Sequence, residues 1–344
     1  MLNDILNTRA VPALRSRAEM LEILQNEEYG YLPKRPDRME WTVKEDCIPS
    51  FCAGKVTSQR VELTVYLGNT PFTFPFIAVI PKAKDPCPFF IHINFRPDVP
   101  DRYMPTEEIT DNGFAVLSFC YNDVTSDNGD FTNGLAGILY PDGTRKPTDP
   151  GKIALWAWAA QRMLDYAESE PRLDMTRAMV CGHSRLGKTA LFCGATDERF
   201  FLAHSNNSGC SGAAITREKT GERVEQITRN FPYWFCENYK KYIGKESDMP
   251  FDQHYLIASI APRYTYVASA LEDAWADPTS ELLSCVAATP AYEKAGLTGM
   301  ICEDRLPVAG DEYHEGSIGY HLRAGLHYFG REDWNRLMTF VKGK

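Results

Sequence analysis

Apolar and polar residues alternate strictly through Val61, Leu63, Val65 and Leu67, the period of a strand with one face buried. The alternation resumes at Phe74, Phe76, Ala78 and Ile80 beyond the turn Gly68-Asn69-Thr70, which predicts an antiparallel strand pair. Phe89 to Phe95 and Phe114 to Cys120 are denser apolar runs, as expected of central parallel strands covered on both faces. His92 lies inside the first of them and reads as a core residue. Ile153, Trp156, Ala157, Ala160, Met163, Leu164 and Ala167 follow helical spacing. A short strand from Ala178 to Cys181 comes next, then helix-like sequence from Arg185 to Thr196. Further on, the pattern predicts strands at Phe200–His204 and Tyr264–Ala270 and helices at 222–242 and 279–288. A long loop then leads to a closing helix with Trp334, Leu337, Met338 and Val341 on one face. Residues 1–45 read as helix and loop, with Glu19–Asn26 the best helical window. Residues 121–150 are rich in Asp, Asn, Gly and Thr with little periodicity, and so long a loop is usually functional or mobile.

Strands alternating with helices imply an α/β fold with a mostly parallel sheet, here preceded by the antiparallel pair. Neither an internal repeat nor a linker-like stretch interrupts the 344 residues. One domain spanning 1–344 is therefore expected, with 1–45 as an N-terminal extension packed on it.

The sharpest chemical signal is Gly182-His183-Ser184-Arg185-Leu186-Gly187-Lys188, between the strand and the helix. A strand–sharp turn–helix junction holds a serine hydroxyl exposed at a strained bend, with a helix N-terminus behind it. The second glycine falls one place later than in the common Gly-x-Ser-x-Gly elbow, which sets a guanidinium beside Ser184 and an ammonium one turn on. A cation sits poorly at a helix's positive end, so Arg185 there suggests use at the nucleophile.

A serine nucleophile needs a base and a group to orient it. In α/β-hydrolases the order is serine, acid, histidine. Of the 7 histidines, His327 in Arg-Ala-Gly-Leu-His before the closing helix is the foremost base, with His321 and His314 sharing its loop and still open. The strand Tyr264–Ala270 runs into Glu272, Asp273 and Asp277. Asp273 has the usual reach for an orienting acid, Glu272 is the alternative, and Asp277 before Pro278 reads as a helix cap.

Net charge of −9 and the lack of any Lys/Arg-rich block argue against nucleic acid, and no apolar run approaches a membrane span. The 10 cysteines are dispersed with no ligand spacing, so neither a metal nor another cofactor is expected, and free thiols in a reducing compartment are. Met1-Leu2-Asn3-Asp4 lacks the pattern of a secretory leader, so a cytoplasmic location is expected unless a leader was removed.

These residues resemble the glucuronoyl esterases, carbohydrate esterase family 15. The likeness is carried by Gly-His-Ser-Arg-Leu-Gly-Lys, Asn207-Ser208-Gly209-Cys210-Ser211-Gly212, Gly221-Glu222, Phe231-Pro232-Tyr233-Trp234-Phe235, Pro250-Phe251-Asp252-Gln253-His254, Glu272-Asp273-Ala274-Trp275 and Arg323-Ala324-Gly325-Leu326-His327. It spans about residues 60–340. It implies a three-layer α/β-hydrolase sandwich that hydrolyses the ester of a glucuronic acid C6 carboxyl within an oligosaccharide or polysaccharide. It further implies Ser184 as nucleophile, His327 as base, Arg185 at the oxyanion, Lys188 and Glu222 on sugar hydroxyls and Trp275 against the sugar. Where some members place a catalytic Glu, this chain has Asn207, which throws the acid's role onto Asp273. Two other readings stay open: an acetyl esterase of decorated xylan, and a non-catalytic glycan-binding homologue.

Overall fold

The computed structural model describes every residue from Met1 to Lys344. Ten strands form one sheet: β1 (Arg38–Glu45), β2 (Val56–Leu67), β3 (Thr70–Pro81), β4 (Cys87–Asn94), β5 (Ala115–Cys120), β6 (Leu173–His183), β7 (Leu202–Asn206), β8 (Tyr264–Ala270), β9 (Glu312–Tyr313) and β10 (Ile318–Arg323). Their order is β1-β2-β3-β5-β4-β6-β7-β8-β10-β9. The run β5-β4-β6-β7-β8-β10 is parallel throughout, while β1, β2, β3 and β9 join antiparallel. Gly68-Asn69 closes the β2–β3 hairpin with Leu67 opposite Thr70. Gly68 has φ +60°, as the first central position of so tight a loop requires.

Both faces of the sheet are covered. On one, Phe89, Ile91, Ala178 and Val180 pack against the helices Lys152–Ala167, Arg185–Thr196 and Pro278–Lys294 in a cluster of 75 buried residues. On the other, Phe90, Val116, Met179 and Ala268 meet the helix Thr106–Asp111 and the closing helix Arg331–Lys342. That double burial is why the central strands read as unbroken apolar runs. It is the three-layer α/β-hydrolase arrangement, and it gathers the C-terminal ends of β6, β7, β8 and β10 along one edge.

Four expectations need correction. Residues 38–45 are the edge strand β1, not loop; it pairs only with β2 and is mostly exposed, so it carries no buried face to show in the sequence. The helix expected over 222–242 is Val224–Asn230 followed by a separate 3₁₀ turn, Glu237–Tyr242. Pro232 breaks it, since a proline disfavours helical backbone at the residue before it. The segment 121–150 contains two short helices, Tyr121–Val124 and Gly134–Leu139. It is also tied down: Lys152 Nζ donates to Thr125 Oγ1 and to the Asp130 carbonyl, both at 2.7 Å. Lastly, the stretch before the closing helix holds β9 and β10. His321 is therefore a buried strand residue bonded to Tyr266 and Asp333, and His314 bonds the same Tyr266 hydroxyl. Neither lies in the loop of His327.

Candidate active site

Ser184 sits between β6 and the helix Arg185–Thr196 with φ +59° and ψ −127°, a conformation unfavourable for any side-chain-bearing residue. Sterics explain the two flanking glycines. A Cβ on Gly182 would lie 2.2 Å from the Leu186 carbonyl oxygen, and one on Gly187 would lie 2.9 Å from Ser205 Oγ. The displaced second glycine thus still does the work of letting the helix cross close to the neighbouring strand. The Ser184 N–H donates to the Asn206 carbonyl at 2.8 Å, fixing the turn to the end of β7. At the start of a helix the first N–H groups lack intrahelical acceptors, so those of Arg185 and Leu186 are donors for an anion beside Ser184.

Pairing of β8 with β10 continues into their loops. Leu271 N–H donates to Arg323 O at 2.9 Å and Glu272 N–H to Gly325 O at 3.0 Å. This zipper brings the acid loop against the histidine loop, and His327 Nδ1 meets Asp273 Oδ2 at 2.6 Å. The same oxygen accepts from Asn207 Nδ2 at 2.9 Å, while Oδ1 faces the Ala276 N–H at 3.3 Å. Burial alone would raise the Asp273 carboxyl. The bond and charge of His327, with the Asn207 amide, outweigh it and hold the group below its usual value. Asp273 is therefore a carboxylate in the folded protein, and it fixes the proton of His327 on Nδ1, which leaves Nε2 free for the cavity. Beneath lies His183, its ring centroid 4.4 Å from that of His327. Burial pulls His183 down to about 3, so it stays neutral.

Glu272 instead accepts the Gly325 N–H at 3.3 Å, bracing the histidine loop. Asp277 is the helix cap, accepting from Ser280 N at 3.2 Å and from Thr220 N at 2.9 Å.

All seven residues singled out in the sequence (Ser184, Arg185, Lys188, Glu222, Asp273, Trp275 and His327) line one cavity of about 290 Å³. Lys188 is buried and spends donors on the Ser208 and Cys210 carbonyls; burial lowers its ammonium, with Glu222 opposing that shift. Its donors hold the Asn207–Cys210 turn as well as facing the cavity. Glu222 also lines the cavity, and its N–H donates to Trp275 O at 3.0 Å. Trp275 is 53% exposed on the rim, an aromatic face open to a ligand.

Sequence reading missed Asp127. Its carboxylate forms an ion pair with Arg185, accepts Trp234 Nε1–H at 2.7 Å and Tyr121 O–H at 2.9 Å, and its carbonyl accepts Tyr233 O–H at 3.0 Å. The guanidinium lies over Trp234, 4.7 Å from the ring centroid, with Phe231 at 5.4 Å. Phe95 lies at 5.6 Å, so an anion and three aromatic rings hold a cation where the helix dipole repels it. No local pattern marked Asp127, because it stands in the aperiodic segment. Trp234 was visible only as part of the Phe-Pro-Tyr-Trp-Phe motif. No three His, Cys, Asp or Glu side chains converge in a metal-binding arrangement, and no helix is long and apolar enough to cross a membrane.

The arrangement sets a strained serine, a histidine–aspartate pair and a held cation on one polar, aromatic-rimmed pocket. Comparison with known proteins agrees. The family model described as "Glucuronyl esterase, fungi" matches residues 63–296. A carbohydrate esterase from an unknown prokaryotic organism is 39% identical over 237 residues, covering 68% of this chain and 54% of the relative. The 4-O-methyl-glucuronoyl methylesterase of Podospora anserina is 28% identical over 275 residues, 76% of this chain and 52% of that protein. The chain thus spans about half the length of the curated relatives it matches. Among solved structures, a glucuronoyl esterase from Solibacter usitatus superposes with TM-score 0.86 at 32% identity, covering 95% of this chain and 91% of that one. One from Teredinibacter turnerae gives 0.86 at 28%, covering 95% and 83%. The chain belongs to the glucuronoyl esterases, carbohydrate esterase family 15.

Proposed function

We propose that the protein hydrolyses the ester between the C6 carboxyl of a glucuronic acid unit and an alcohol, through an acyl-enzyme on Ser184. The observation that carries this reading is the convergence of Ser184, the His327–Asp273 pair and the Arg185 cation on the cavity that also displays Lys188, Glu222 and Trp275. Relatives named 4-O-methyl-glucuronoyl methylesterase lend it support.

In this scheme Ser184 Oγ attacks the ester carbon while Nε2 of His327 takes its proton. The oxyanion of the tetrahedral intermediate is met by the Arg185 N–H and guanidinium, donors each worth roughly 10²–10³ in rate. Collapse expels the alkoxide, which takes the proton back from His327. Water, deprotonated by the same imidazole, then frees the glucuronate and restores Ser184. Glu222 and the Lys188 ammonium suit the hydroxyls of a sugar ring, one accepting and the other donating, and Trp275 suits its apolar face. The substrate is a uronic-acid-containing oligosaccharide or polysaccharide ester. The cytoplasmic location expected above remains a proposal, supported by ten cysteines that all carry free thiols.

The test compares kcat/KM for methyl or benzyl glucuronate with acetate release from acetylated xylan. Uronate hydrolysis should dominate. Acetate release faster by orders of magnitude would overturn the uronate assignment. Retained sugar binding with no hydrolysis of either ester would make the protein a glycan-binding homologue.

A further inference from the structure

His327 stands in a loop with little burial of its own. Its side chain is 44% exposed and Leu326 before it is 67% exposed. Such a segment loses its shape unless something else holds it. Glu272 braces it at Gly325, and the residue that reaches both sides of His327 is Arg323, the last residue of β10. Its guanidinium donates from Nη1 to Ala324 O at 2.9 Å and from Nη2 to Leu326 O at 3.1 Å and Tyr328 O at 2.5 Å. Three carbonyls that bracket His327 on both sides thus share one rigid fork. The fork is itself anchored: Nε donates to Asp333 Oδ1 at 2.9 Å. Asp333 is wholly buried at the start of the closing helix and also bonds His321 Nε2 at 3.0 Å and the Gly330 N–H at 2.8 Å. The loop wraps closely enough that Gly325, at φ +95°, has its missing Cβ position 3.2 Å from Arg323 Nη1.

We propose that Arg323, locked by Asp333, is a positioning residue that sets the placement of the His327 imidazole relative to Ser184. The proposal rests on His327 being the base of the ester hydrolysis above. Only a planar guanidinium with five donors spans three carbonyls and a carboxylate at once; an ammonium reaches one or two of them. An error of about 1 Å in a catalytic group costs roughly a hundredfold in rate, so a loop shift that leaves the protein folded still lowers kcat.

The experiment measures kcat, KM and melting temperature for R323K, in the wild-type and H327A backgrounds, on methyl glucuronate and on 4-nitrophenyl acetate. R323K should fold and lower kcat roughly a hundredfold with KM within about threefold. In the H327A background it should change the residual rate by less than about threefold, because the base it positions is gone. A kcat for R323K near wild type, or an equal loss with and without His327, overturns the proposal. Should R323K fail to fold, R323M/D333N removes both charges of the buried pair together and takes the same measurements. Failure of both to fold assigns the cluster to the scaffold and also overturns it. A wild type that hydrolyses the acetate but not the glucuronate sinks the substrate reading alone, and the Arg323 test proceeds on the acetate.

Discussion

Replacing Asp273 by asparagine is the change for which the structure gives the most defined consequence. Oδ2 of Asp273 accepts from both His327 Nδ1 and Asn207 Nδ2, and Oδ1 faces the Ala276 N–H. A carboxylate satisfies all three donors, whereas an amide has a single oxygen. If that oxygen faces His327, the new NH₂ meets the Ala276 N–H. If it turns to Ala276, the NH₂ meets Asn207 and forces the unprotonated nitrogen of His327 to be Nδ1. The imidazole then carries its proton on Nε2 and cannot take one from Ser184. The charge that steadies the imidazolium is lost in either case. A wrong-tautomer change of this kind in a serine hydrolase costs about 10⁴ in kcat, or about 5.4 kcal/mol of transition-state stabilisation. Asp273→Asn should therefore lose roughly four decades of kcat on methyl glucuronate, followed by titration of released acid, with KM and melting temperature little changed. A loss under about tenfold would mean that Asp273 does not orient His327, and a large loss in Glu272→Gln instead would move the acid by one residue.

Three other outcomes follow from the same structure. Asp127→Asn removes the anion that holds Arg185 while sparing the acceptor for Trp234, so kcat should fall at least about tenfold with little effect on KM; an unchanged kcat would leave the Arg185 guanidinium without a catalytic part. Trp275→Ala should raise KM or the Kd for glucuronate about three- to tenfold and leave kcat nearly intact, the size of one aromatic contact; an unchanged KM would place the sugar elsewhere. Glu28, wholly buried against Gln253, is pushed up to about 8 by burial. The folded state thus keeps a proton that the unfolded carboxyl releases, so its stability is full below the unfolded value near 4.5 and lost as pH rises through about 8. Over that window the loss reaches at most about 5 kcal/mol. Calorimetry should find that Glu28→Gln raises the melting temperature several degrees at pH 8 and hardly at all at pH 4.5; equal shifts at both would contradict the buried proton.

The sequence revealed what depends on local pattern. The elbow was visible because a strand, a Gly-His-Ser turn and an amphipathic helix are contiguous, and their geometry follows from sterics within a few residues of Gly182 and Gly187. Asp273 and His327 were visible because each follows a recognisable strand or precedes a recognisable helix. Their meeting was expected from chain order alone; what brings it about, the β8–β10 pairing that runs on into the loops, was not visible, because β10 itself was hidden in a stretch read as loop. Asp127 stayed hidden for a related reason: its value lies in four partners drawn from positions 121, 185, 233 and 234, which nothing in the local sequence links to it. β1 was missed because an exposed edge strand needs no apolar face. Pro232 was a stop signal in plain view, overlooked beneath an apparent helical run.

If Ser184 is the activated nucleophile of a glucuronate-binding pocket, an active-site label should single it out. The protein is treated with a fluorophosphonate, with and without methyl glucuronate, and the modified peptide is mapped by mass spectrometry. One label per chain should fall on Ser184, its rate should collapse in the Asp273→Asn and His327→Ala variants, and methyl glucuronate should protect. Labelling of another serine, or of Ser184 at a rate indifferent to His327 and to the uronate, would mean that Ser184 is not the nucleophile His327 activates.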